Sequence, residues 1–480
     1  MEHDESMRVL FATAELAPVA AVGGLAQAAA GLVAELRGEG VTVDVVLPDY
    51  GGTALAGERT FALAVPPWAG PMTVRVGSHP VAGELHLVSN PAMARSHPYL
   101  QPDGQGWPDN ADRFFALSRA IAAIVQADPP DVLHLNDWHT GATLAAVPGS
   151  ADGGVPSVLS LHNLAYQGFA PGSWLARLGP RAEHFEWYGG TNPLSGAIAL
   201  ADAVVAVSPT YADEILTPAG GFGLDAALRN RRDAVAGIRN GVDAAVWDPA
   251  SDPALAANYS ATDAVATRLA AKAANRAAAA RRLERAWGGE RGDGVPLAVM
   301  VTRLTGQKGV DLVAQLVPVL ADIPLRLAVL GTGEAGLAAV LRAGAEAHPE
   351  SFAFVDAYDD ELAHLLFAGA DLYLMPSRFE PCGLAQMQAM RYGALPVVTD
   401  VGGLHDTVRD ADRHRGGTGF STPEPTGAAV TAALFRAARA LRNRRRREAI
   451  VKRAMATDWS WRGPAREYVA LYHRLVRRTE

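Results

Sequence analysis

Short apolar runs alternate with longer amphipathic stretches along this 480-residue chain, and the whole alternation occurs twice. Such an alternation is typical of βαβ units, whose strands form a parallel sheet. The strands predicted in the first half are residues 8–12, 43–47, 132–135, 158–161 and 203–207. Those predicted in the second half are residues 297–301, 326–330, 352–354, 371–375 and 395–398. Each half is therefore predicted to form a doubly wound α/β domain, with a ligand cleft between the two.

The length of the chain also exceeds what one hydrophobic core usually holds, which favours two or three domains. Residues 240–264 are rich in Asp, Pro and Ala and are expected to connect the domains, ahead of an alanine-rich helix over residues 266–287. We predict a first domain of residues 1–242 and a second of residues 243–458. Residues 459–480 are amphipathic, with aromatic anchors that include Trp459 and Tyr472, and are predicted to pack back on the first domain.

Composition excludes several classes of protein. A formal net charge of -8 argues against a non-specific nucleic-acid binder, and the run of arginines at residues 444–447 is expected to be a solvated helix face. One cysteine excludes an internal disulfide framework, and the histidines show no zinc-ligand spacing, so no metal is expected. Without a signal-peptide pattern or a long apolar stretch, we expect a cytoplasmic protein that does not bind membranes.

The turn at residues 377–384 has the sequence Ser-Arg-Phe-Glu-Pro-Cys-Gly-Leu and directly follows a predicted strand. Its Pro and Gly favour a turn, and a helix is predicted over residues 384–392. Glu380 is thereby expected at the carboxyl end of a parallel strand, where open α/β sheets bind ligands. A carboxylate between a strand and a helix is equally typical of an ordinary helix N-cap, and the turn alone leaves both readings open.

Glycine pairs and cations follow other predicted strands. Gly23 and Gly24, Gly331, and Gly402 with Gly403 stand between a strand and a helix, where backbone N–H groups can face a phosphate. Many such glycines are plain turns, and none here completes a GxGxxG or Walker sequence. Arg303 and Lys308 follow the strand at 297–301 and favour a diphosphate site, although lone cations are more often surface charges.

At this point the motifs resemble those of bacterial glycogen synthases and plant starch synthases, retaining glucosyltransferases of glycosyltransferase family 5 with the GT-B fold. Besides the turn around Glu380, the resemblance rests on VGGLA at 22–26, NDWHTG at 136–141, HNLAYQG at 162–168, VSPTY at 207–211, NGVD at 240–243 and RLTGQKG at 303–309. The broader GT-B family 4 usually has a second glutamate eight positions after the first. Gln388 stands there and Cys382 matches the glycogen synthases, which favours the narrower family.

The resemblance implies transfer of glucose from ADP-glucose to an α-1,4-glucan such as glycogen, with no cofactor. It implies catalytic roles for Glu380, His162, Asp137, Arg303 and Lys308. It implies donor contacts from Gly23, Gly24, Asn240, Arg303, Lys308, Gly331, Tyr358, Glu380, Cys382, Gly383, Leu384, Gly402 and Gly403. The acceptor side would include Tyr99, Asp137 and His139. Tyr358 would stack on the adenine, with a half-buried core tyrosine as the structural alternative.

Three positions depart from the family pattern. Ala21 and Gln27 stand where the family usually has lysine and aspartate beside the first glycine pair, and Val401 replaces a threonine before the last pair. The loss of a cation at residue 21 predicts an enzyme with a weakened donor site. Two alternatives are a glucan-binding or regulatory homologue with impaired catalysis, and a glucosyltransferase that makes a small oligosaccharide or sugar phosphate.

Overall fold

The computed structural model describes residues 6–101, 104–285, 287, 294–320, 322–323 and 325–479. The chain divides into two compact units, one formed by Met1–Gly241 with Trp461–Glu480 and the other by Val242–Ser460. The predicted boundaries, after residues 242 and 458, lie one and two residues from the observed boundaries, which fall after residues 241 and 460. Residues 242–264, predicted to connect the domains, belong to the second unit.

The first unit is built on a nine-stranded sheet of order β12-β11-β7-β6-β1-β2-β5-β4-β3. Its strands are β1 (Arg8–Ala12), β2 (Thr42–Pro48), β3 (Ala56–Ala62), β4 (Thr73–His79), β5 (Gly83–Ser89), β6 (Val132–Asn136), β7 (Ser157–Leu161), β11 (Ala203–Ala206) and β12 (Val235–Gly237). Neighbours from β12 to β5 are parallel, whereas β4 and β3 continue the sheet antiparallel. A separate three-stranded sheet contains β8 (Ala170–Pro171), β9 (Glu186–Trp187) and β10 (Gly190–Thr191).

In the described residues that precede the second unit, seven α-helices accompany these strands. They are α1 (Gly24–Gly38), α2 (Asn110–Ala127), α3 (Asp137–Gly141), α4 (Leu175–Leu178), α5 (Pro193–Leu200), α6 (Pro209–Glu214) and α7 (Asp225–Asn230). The N-caps of α5 and α6 are Asn192 and Ser208, whose side chains accept hydrogen bonds from the backbone N–H groups three residues later. These side chains satisfy N–H groups that have no partner within the helix, so both helix starts are defined by the local sequence.

The second unit has a six-stranded, fully parallel sheet of order β15-β14-β13-β16-β17-β18. Its strands are β13 (Leu297–Val301), β14 (Arg326–Leu330), β15 (Phe352–Val355), β16 (Leu372–Met375), β17 (Leu395–Thr399) and β18 (Phe420–Thr422). Its helices are α8 (Val265–Arg282), α9 (Val310–Leu316), α10 (Ala335–Ala347), α11 (Asp360–Gly369), α12 (Ala385–Arg391), α13 (Gly402–Thr407), α14 (Gly427–Arg442) and α15 (Arg444–Ala456). Because all six strands run the same way, their carboxyl ends share one edge of the sheet.

The last helix, α16 (Arg462–Thr479), packs on the first unit. Trp461, Tyr468 and Tyr472 belong to the same buried cluster as residues of β1, β2 and α1. The hydroxyl of Tyr472 lies 2.7 Å from Nδ1 of the buried His134 in β6. Apolar packing and a buried hydrogen bond therefore both hold this helix to the sheet.

One local prediction is wrong. The alanine-rich helix ends at Arg282 in the structure rather than at residue 287, and residues 286 and 288–293 lie outside the described part. The first sheet is parallel from β12 to β5 and has, in addition, an antiparallel edge formed by β4 and β3. Within the described residues, no helix combines the length and the apolar character that crossing a lipid bilayer requires.

Candidate active site

Glu380 occupies the turn that follows β16, and its carboxylate is already engaged. Oε2 lies 2.6 Å from Nζ of Lys308 and accepts a hydrogen bond of 3.0 Å from Oγ of Ser377. Glu380 is 4% exposed, so this ion pair is largely screened from water. Helix α12 begins only at Ala385, its N-cap is Leu384, and no side chain caps it. The N-cap alternative for Glu380 is therefore wrong.

Arg378 ties this turn to the loop after β13, which contains Lys308. Its guanidinium forms two hydrogen bonds of 2.7 Å with the carboxylate of Asp311 and a third, of 2.6 Å, with the carbonyl of Gly306. The backbone N–H of Arg378 donates to the carbonyl of Gln307 at 2.8 Å, and the Gln307 amide donates to the carbonyl of Phe379 at 3.3 Å. Five hydrogen bonds thus hold the turn after β16 against the loop after β13 and the start of α9, and they fix Lys308 and Glu380 in one arrangement.

Close backbone approach supports the same arrangement. Gly309 has φ of +69°, and a Cβ atom there would lie 2.1 Å from the carbonyl oxygen of Pro376. A Cβ atom on Gly331 would lie 1.8 Å from the carbonyl oxygen of Thr302. These positions require glycine because the loops after β13, β14 and β16 pass within backbone contact of one another. Gly331 therefore has a packing role that the sequence did not predict.

The other predicted donor residues of the second unit also follow strand ends. Arg303 is exposed and follows β13, and Tyr358 follows β15 with 80% of its surface exposed. The alternative of a half-buried core tyrosine is therefore wrong for Tyr358. The N–H of Gly403 donates to the carbonyl of Glu380 at 3.0 Å, so this amide, which we predicted to face a phosphate, is used within the protein.

Cys382, Gly383 and Leu384 complete the turn after Glu380. The side-chain amide of the fully buried Gln386 donates to the carbonyls of Cys382 and Gly383, at 3.1 and 2.9 Å. The same amide nitrogen lies 3.0 Å from Oγ1 of Thr407, which follows Gly402 and Gly403 in α13. Gln386 therefore fixes this turn to α13, a function that the sequence did not reveal.

In the first unit, Asp137 stands directly after β6 in a left-handed backbone conformation, with φ of +54°. Its Oδ1 accepts hydrogen bonds from the backbone N–H groups of His162 at 2.7 Å and Asn163 at 3.4 Å. Burial raises the pKa of Asp137 to about 7, although these two hydrogen bonds favour the ionised form. A strained, buried carboxyl at a strand end is typical of a functional position.

His162 follows β7 and is held by Asn136, a residue of the quoted motif to which we assigned no role. The amide nitrogen of Asn136 donates to the carbonyl of Ala12 at 2.9 Å, so its oxygen faces Nε2 of His162 at 2.9 Å. Burial lowers the pKa of His162 to about 4, and the ring is therefore neutral at neutral pH. Since Nε2 must carry the proton to meet that oxygen, Nδ1 presents a lone pair.

Glu15 organises the first glycine loop and was missed from the sequence. Its Oε2 accepts hydrogen bonds of 2.9 Å from the N–H groups of Val22 and Gly23, and its Oε1 accepts one of 2.7 Å from the hydroxyl of Tyr99. The N–H of Gly23, which we predicted to face the donor phosphate, is thus bound to a carboxylate of the protein. The only sequence signal for Glu15 was its position, an acidic residue just after β1, and no motif marks it.

Tyr99 and His139 lie side by side, with ring centroids 5.1 Å apart, and both rings contact Phe114. Burial lowers the pKa of His139 to about 3, and its Nδ1 has no hydrogen-bond partner within the described residues. Gly24 opens α1, and Asn240 is a buried residue whose N–H donates to the carbonyl of Val207 at 3.3 Å. The structure thus brings Tyr99 and His139 together, and Asp137 with His162.

The first of two family models that match this chain describes the starch synthase catalytic domain and covers residues 8–230. The second, glycosyl transferases group 1, covers residues 284–456. The glycogen synthase of Halorhodospira halophila is 43% identical over 98% of this chain and 99% of its own length. That of Acidiphilium cryptum is 40% identical over 98% of this chain and the whole of its own length. The chain belongs to the glycogen and starch synthase family.

Among solved structures, the catalytic domain of starch synthase IV from Arabidopsis thaliana, bound to ADP and acarbose, matches with a TM-score of 0.85 and 30% identity. The match covers 98% of this chain and 99% of that one. Sucrose-phosphate synthase from Thermosynechococcus elongatus, at 17% identity and a TM-score of 0.60, shares the fold. The expected family and the expected pair of parallel-sheet α/β domains are thus confirmed.

The departures from the glycogen and starch synthase pattern have distinct environments. Ala21 and Gln27 are exposed, whereas Val401 is half-buried and is the N-cap of α13. A lysine at position 21 would therefore reach solvent without displacing core side chains. Ala21 lies next to Val22, whose N–H donates a hydrogen bond to Glu15. This hydrogen bond holds the backbone beside residue 21 in place.

One group of three side chains in the described part of the chain lies close enough to share a cation: Asp44, Glu84 and His86. Nε of Arg8 lies 2.6 Å from Asp44, so that carboxylate is already neutralised by a cation of the protein. Nε2 of His86 lies 3.3 Å from Glu84. These contacts match an internal ion-pair network better than a metal centre.

Proposed function

We propose that this chain elongates an α-1,4-glucan by transferring glucose from ADP-glucose to the non-reducing end, with retention of the α configuration. One observation supports the assignment most directly: Lys308 and Glu380 lie 2.6 Å apart at the carboxyl edge of a parallel sheet. A cation for a leaving diphosphate and a carboxylate for a sugar are thus combined in one place. The reaction itself is inferred from membership of the glycogen and starch synthase family.

Charge separation is the chemical problem of this reaction. When the bond between the anomeric carbon and the diphosphate breaks, positive charge develops on the sugar and negative charge on the leaving group. In the proposal, Lys308 and Arg303 bind the diphosphate. One of the three N–H bonds of Lys308 is directed to Glu380, which leaves two for phosphate oxygens. Glu380 in turn orients the donor glucose by contacting hydroxyl groups of the sugar.

The first unit is proposed to supply the sugar and acceptor contacts. Neutral His162 presents Nδ1 as an acceptor for a sugar hydroxyl, because Asn136 fixes the other ring nitrogen. Asp137 holds the His162 backbone in place, and Tyr99 and His139 line the acceptor side. In the proposal, these groups contact the sugar and the acceptor during catalysis.

The nucleotide is proposed to bind along the carboxyl edge of the second sheet. Tyr358 would stack on the adenine, since most of its ring is exposed. The turn of Cys382, Gly383 and Leu384 and the backbone at Gly331 and Gly402 would line the rest of the donor pocket. No cofactor takes part in the proposed reaction. The single cysteine, which is buried, supports a reducing, cytoplasmic setting.

The test is incorporation of label from ADP-[14C]glucose into glycogen by the purified protein, with the Glu380→Gln variant as the matched control. Transfer by the wild type and a loss of about a hundredfold or more in the variant are expected. Correctly folded wild type that transfers nothing from ADP-glucose to glycogen, maltose or a sugar phosphate would sink the proposal. UDP-glucose as competitor reports the nucleotide preference.

A second candidate function, a glucan-binding homologue with impaired catalysis, is favoured by the absence of a cation at Ala21. If donor binding is weakened by that absence, Ala21→Lys should raise kcat/KM for ADP-glucose. A charge-assisted contact of about 1.5–3 kcal/mol corresponds to roughly 10- to 150-fold. An unchanged kcat/KM with normal glycogen binding would show that position 21 has no part in the donor site of this chain. If the wild type and the Ala21→Lys variant both bind glycogen but transfer no glucose, the second candidate function is correct.

A further inference from the structure

A chain of four polar side chains is buried between α16 and the strands β6 and β7. Nε2 of His134 in β6 lies 2.8 Å from Oγ of Ser160 in β7, and Nδ1 of His134 lies 2.7 Å from the hydroxyl of Tyr472. Oγ of Ser160 is also 3.2 Å from the hydroxyl of Tyr468, which stands one turn before Tyr472 in α16. All four residues are at most 1% exposed. A polar connection therefore runs through a core where apolar side chains are usual.

The imidazole at the centre of this chain is neutral and fixed. Burial lowers the pKa of His134 to about 3, so at neutral pH the ring has one N–H and one lone pair. The hydroxyls of Tyr472 and Ser160 can each donate or accept, so both ring nitrogens have a hydrogen-bond partner in either tautomer. The ring of Phe11 packs against the imidazole, with centroids 4.7 Å apart. His134 is therefore held at both nitrogens and by an aromatic neighbour.

The same two strands carry a second side-chain contact at their carboxyl ends. Two residues after His134 and Ser160, Oδ1 of Asn136 lies 2.9 Å from Nε2 of His162, the proposed sugar-binding histidine. We call the contact of His134 with Ser160 the inner rung and that of Asn136 with His162 the outer rung. His134 and Asn136 lie on the same face of the sheet, because side chains two residues apart in a strand share a face. The inner rung thus fixes β6 against β7 immediately before the outer rung.

Stability alone does not explain the inner rung. Apolar side chains of similar shape fill a core about as well as a buried hydrogen-bonded pair, because each polar group gives up its contacts with water on folding. A buried polar network in which every member has a partner instead restricts a core to one arrangement. The arrangement restricted here is the position of β6 relative to β7, on which the geometry of the outer rung depends.

We propose that Tyr472, acting through the inner rung, is a positioning residue for His162 in glucosyl transfer. The inference rests on the proposed function and gives the last helix of the chain a part in it. Tyr472 is fully buried and does not reach substrate, but its hydroxyl holds His134 in place. The inner rung in turn keeps the outer rung in the geometry that directs the Nδ1 lone pair of His162 to the sugar. Loss of the Tyr472 hydroxyl should therefore disturb the hydrogen bond at His162 while the fold persists.

The test is Tyr472→Phe, with Tyr259→Phe as the matched control. Each substitution removes one buried hydroxyl and keeps the ring, and the hydroxyl of Tyr259 contacts only backbone carbonyls of the second unit among its printed partners, those of Ala368 and Tyr392. Both variants should unfold about 2–4 °C below the wild type, because each loses one buried hydrogen bond. Only Tyr472→Phe should lower kcat, by about tenfold, since a small displacement of a group that contacts substrate slows the reaction. Ser160→Ala, which removes the inner rung from the other strand, should lower kcat similarly.

Nitrogen NMR of protein labelled at histidine reads the state of His162 directly. The wild type should show the His162 ring with its proton on Nε2, and the signals are assigned by their loss in His162→Gln. Tyr472→Phe should show a mixture of the two tautomers, whereas Tyr259→Phe should keep the wild-type signals. Unchanged His162 signals in Tyr472→Phe would overturn the inference, whatever the value of kcat.

A double-mutant cycle separates positioning from a general loss of structure. If Tyr472 acts through His162, adding Tyr472→Phe to His162→Ala should lower the residual kcat no further. A loss of about tenfold in both backgrounds would make Tyr472 purely structural and overturn the inference. If the wild type transfers no glucose to any acceptor, the proposed function fails, and the histidine signals still decide whether Tyr472 orients His162.

Discussion

The contact between Lys308 and Glu380 is the closest charge pair of the candidate site, at 2.6 Å in a mostly buried position. We expect Lys308→Met and Glu380→Gln each to lower kcat by about a hundredfold, because each removes charge that acts on the transition state. Since the two side chains contact each other, the double variant should lose less than the product of the single losses. Steady-state kinetics with ADP-glucose and glycogen measures this. A fully multiplicative loss would show that the pair does not act as a unit.

Gly309 and Gly306 form a matched pair of glycines in the loop that carries Lys308. Gly309 has φ of +69° and no room for a Cβ atom, whereas a Cβ atom on Gly306 would meet nothing within 4 Å. Gly309→Ala is expected to destabilise the protein by on the order of 2 kcal/mol or more and to raise the KM for ADP-glucose. Gly306→Ala should resemble the wild type in both urea unfolding and kinetics. Equal effects of the two substitutions would contradict this reading of the loop.

At the scale of elements, Arg378 connects the loops that follow β13 and β16. Arg378→Lys keeps the positive charge but cannot form both hydrogen bonds to Asp311 while also reaching the carbonyl of Gly306. We expect a higher KM for ADP-glucose and a lower kcat with little change in unfolding temperature, because the pair with Asp311 is partly exposed. Asp311→Asn should give a similar change, and the double variant should be no worse than either single one. A large loss of stability with normal kinetics would instead make the contact purely structural.

The ten strands that the sequence predicted are all present and have parallel neighbours, because strands covered on both faces are short, continuous apolar runs. Two other buried strands with a parallel neighbour, β5 and β18, were missed. Strand β1 is Arg8–Ala12, as predicted, since its apolar run ends where polar residues begin. Strand β3 was missed because all seven of its residues are exposed and no apolar run marks it. The long helix α8 was predicted too far because alanine-rich sequence favours helix on both sides of its true end.

The candidate site likewise contains residues that could be predicted from the sequence and residues that could not. Lys308 and Glu380 could each be placed at the end of a strand because both follow apolar runs, and parallel strands place such ends on one edge. Their direct contact was not predicted. Glu15, Arg378 and Gln386 were not predicted because their functions depend on contacts with segments 7 to 84 residues away. The amides of Gly23 and Gly403 were assigned to phosphate, but sequence does not reveal which backbone donors the protein itself uses.

At the scale of the whole molecule, acid should weaken the first unit before the second. Burial lowers the pKa values of His134, His139 and His162 to about 3, 3 and 4, so their neutral forms stabilise the fold above pH 6.5. That stabilisation is lost as pH falls below 6.5, because the unfolded chain binds protons first. Asp137 acts oppositely: its raised pKa of about 7 stabilises the fold at low pH, and this contribution is lost as pH rises through 7.

Near pH 5 the unfolded chain therefore binds a net of about two more protons at these four groups, which corresponds to a loss of at most about 3 kcal/mol per pH unit. Asp137→Asn removes the opposing contribution and should steepen the loss to about three protons. Hydrogen exchange by mass spectrometry at pH 5 and 6.5 would locate the change in peptides of Met1–Gly241 rather than Val242–Ser460. A loss confined to the second unit would contradict the assignment.

The return of α16 to the first sheet has a consequence for biosynthesis. Trp461, Tyr468 and Tyr472 belong to a core whose other members are made hundreds of residues earlier. On the ribosome, the first unit therefore cannot complete its core until α16 has been made, whereas the described strands of Val242–Ser460 are synthesised before that helix. The unit that is synthesised first is thus completed last, and its nascent part depends on protection from aggregation until α16 has been made.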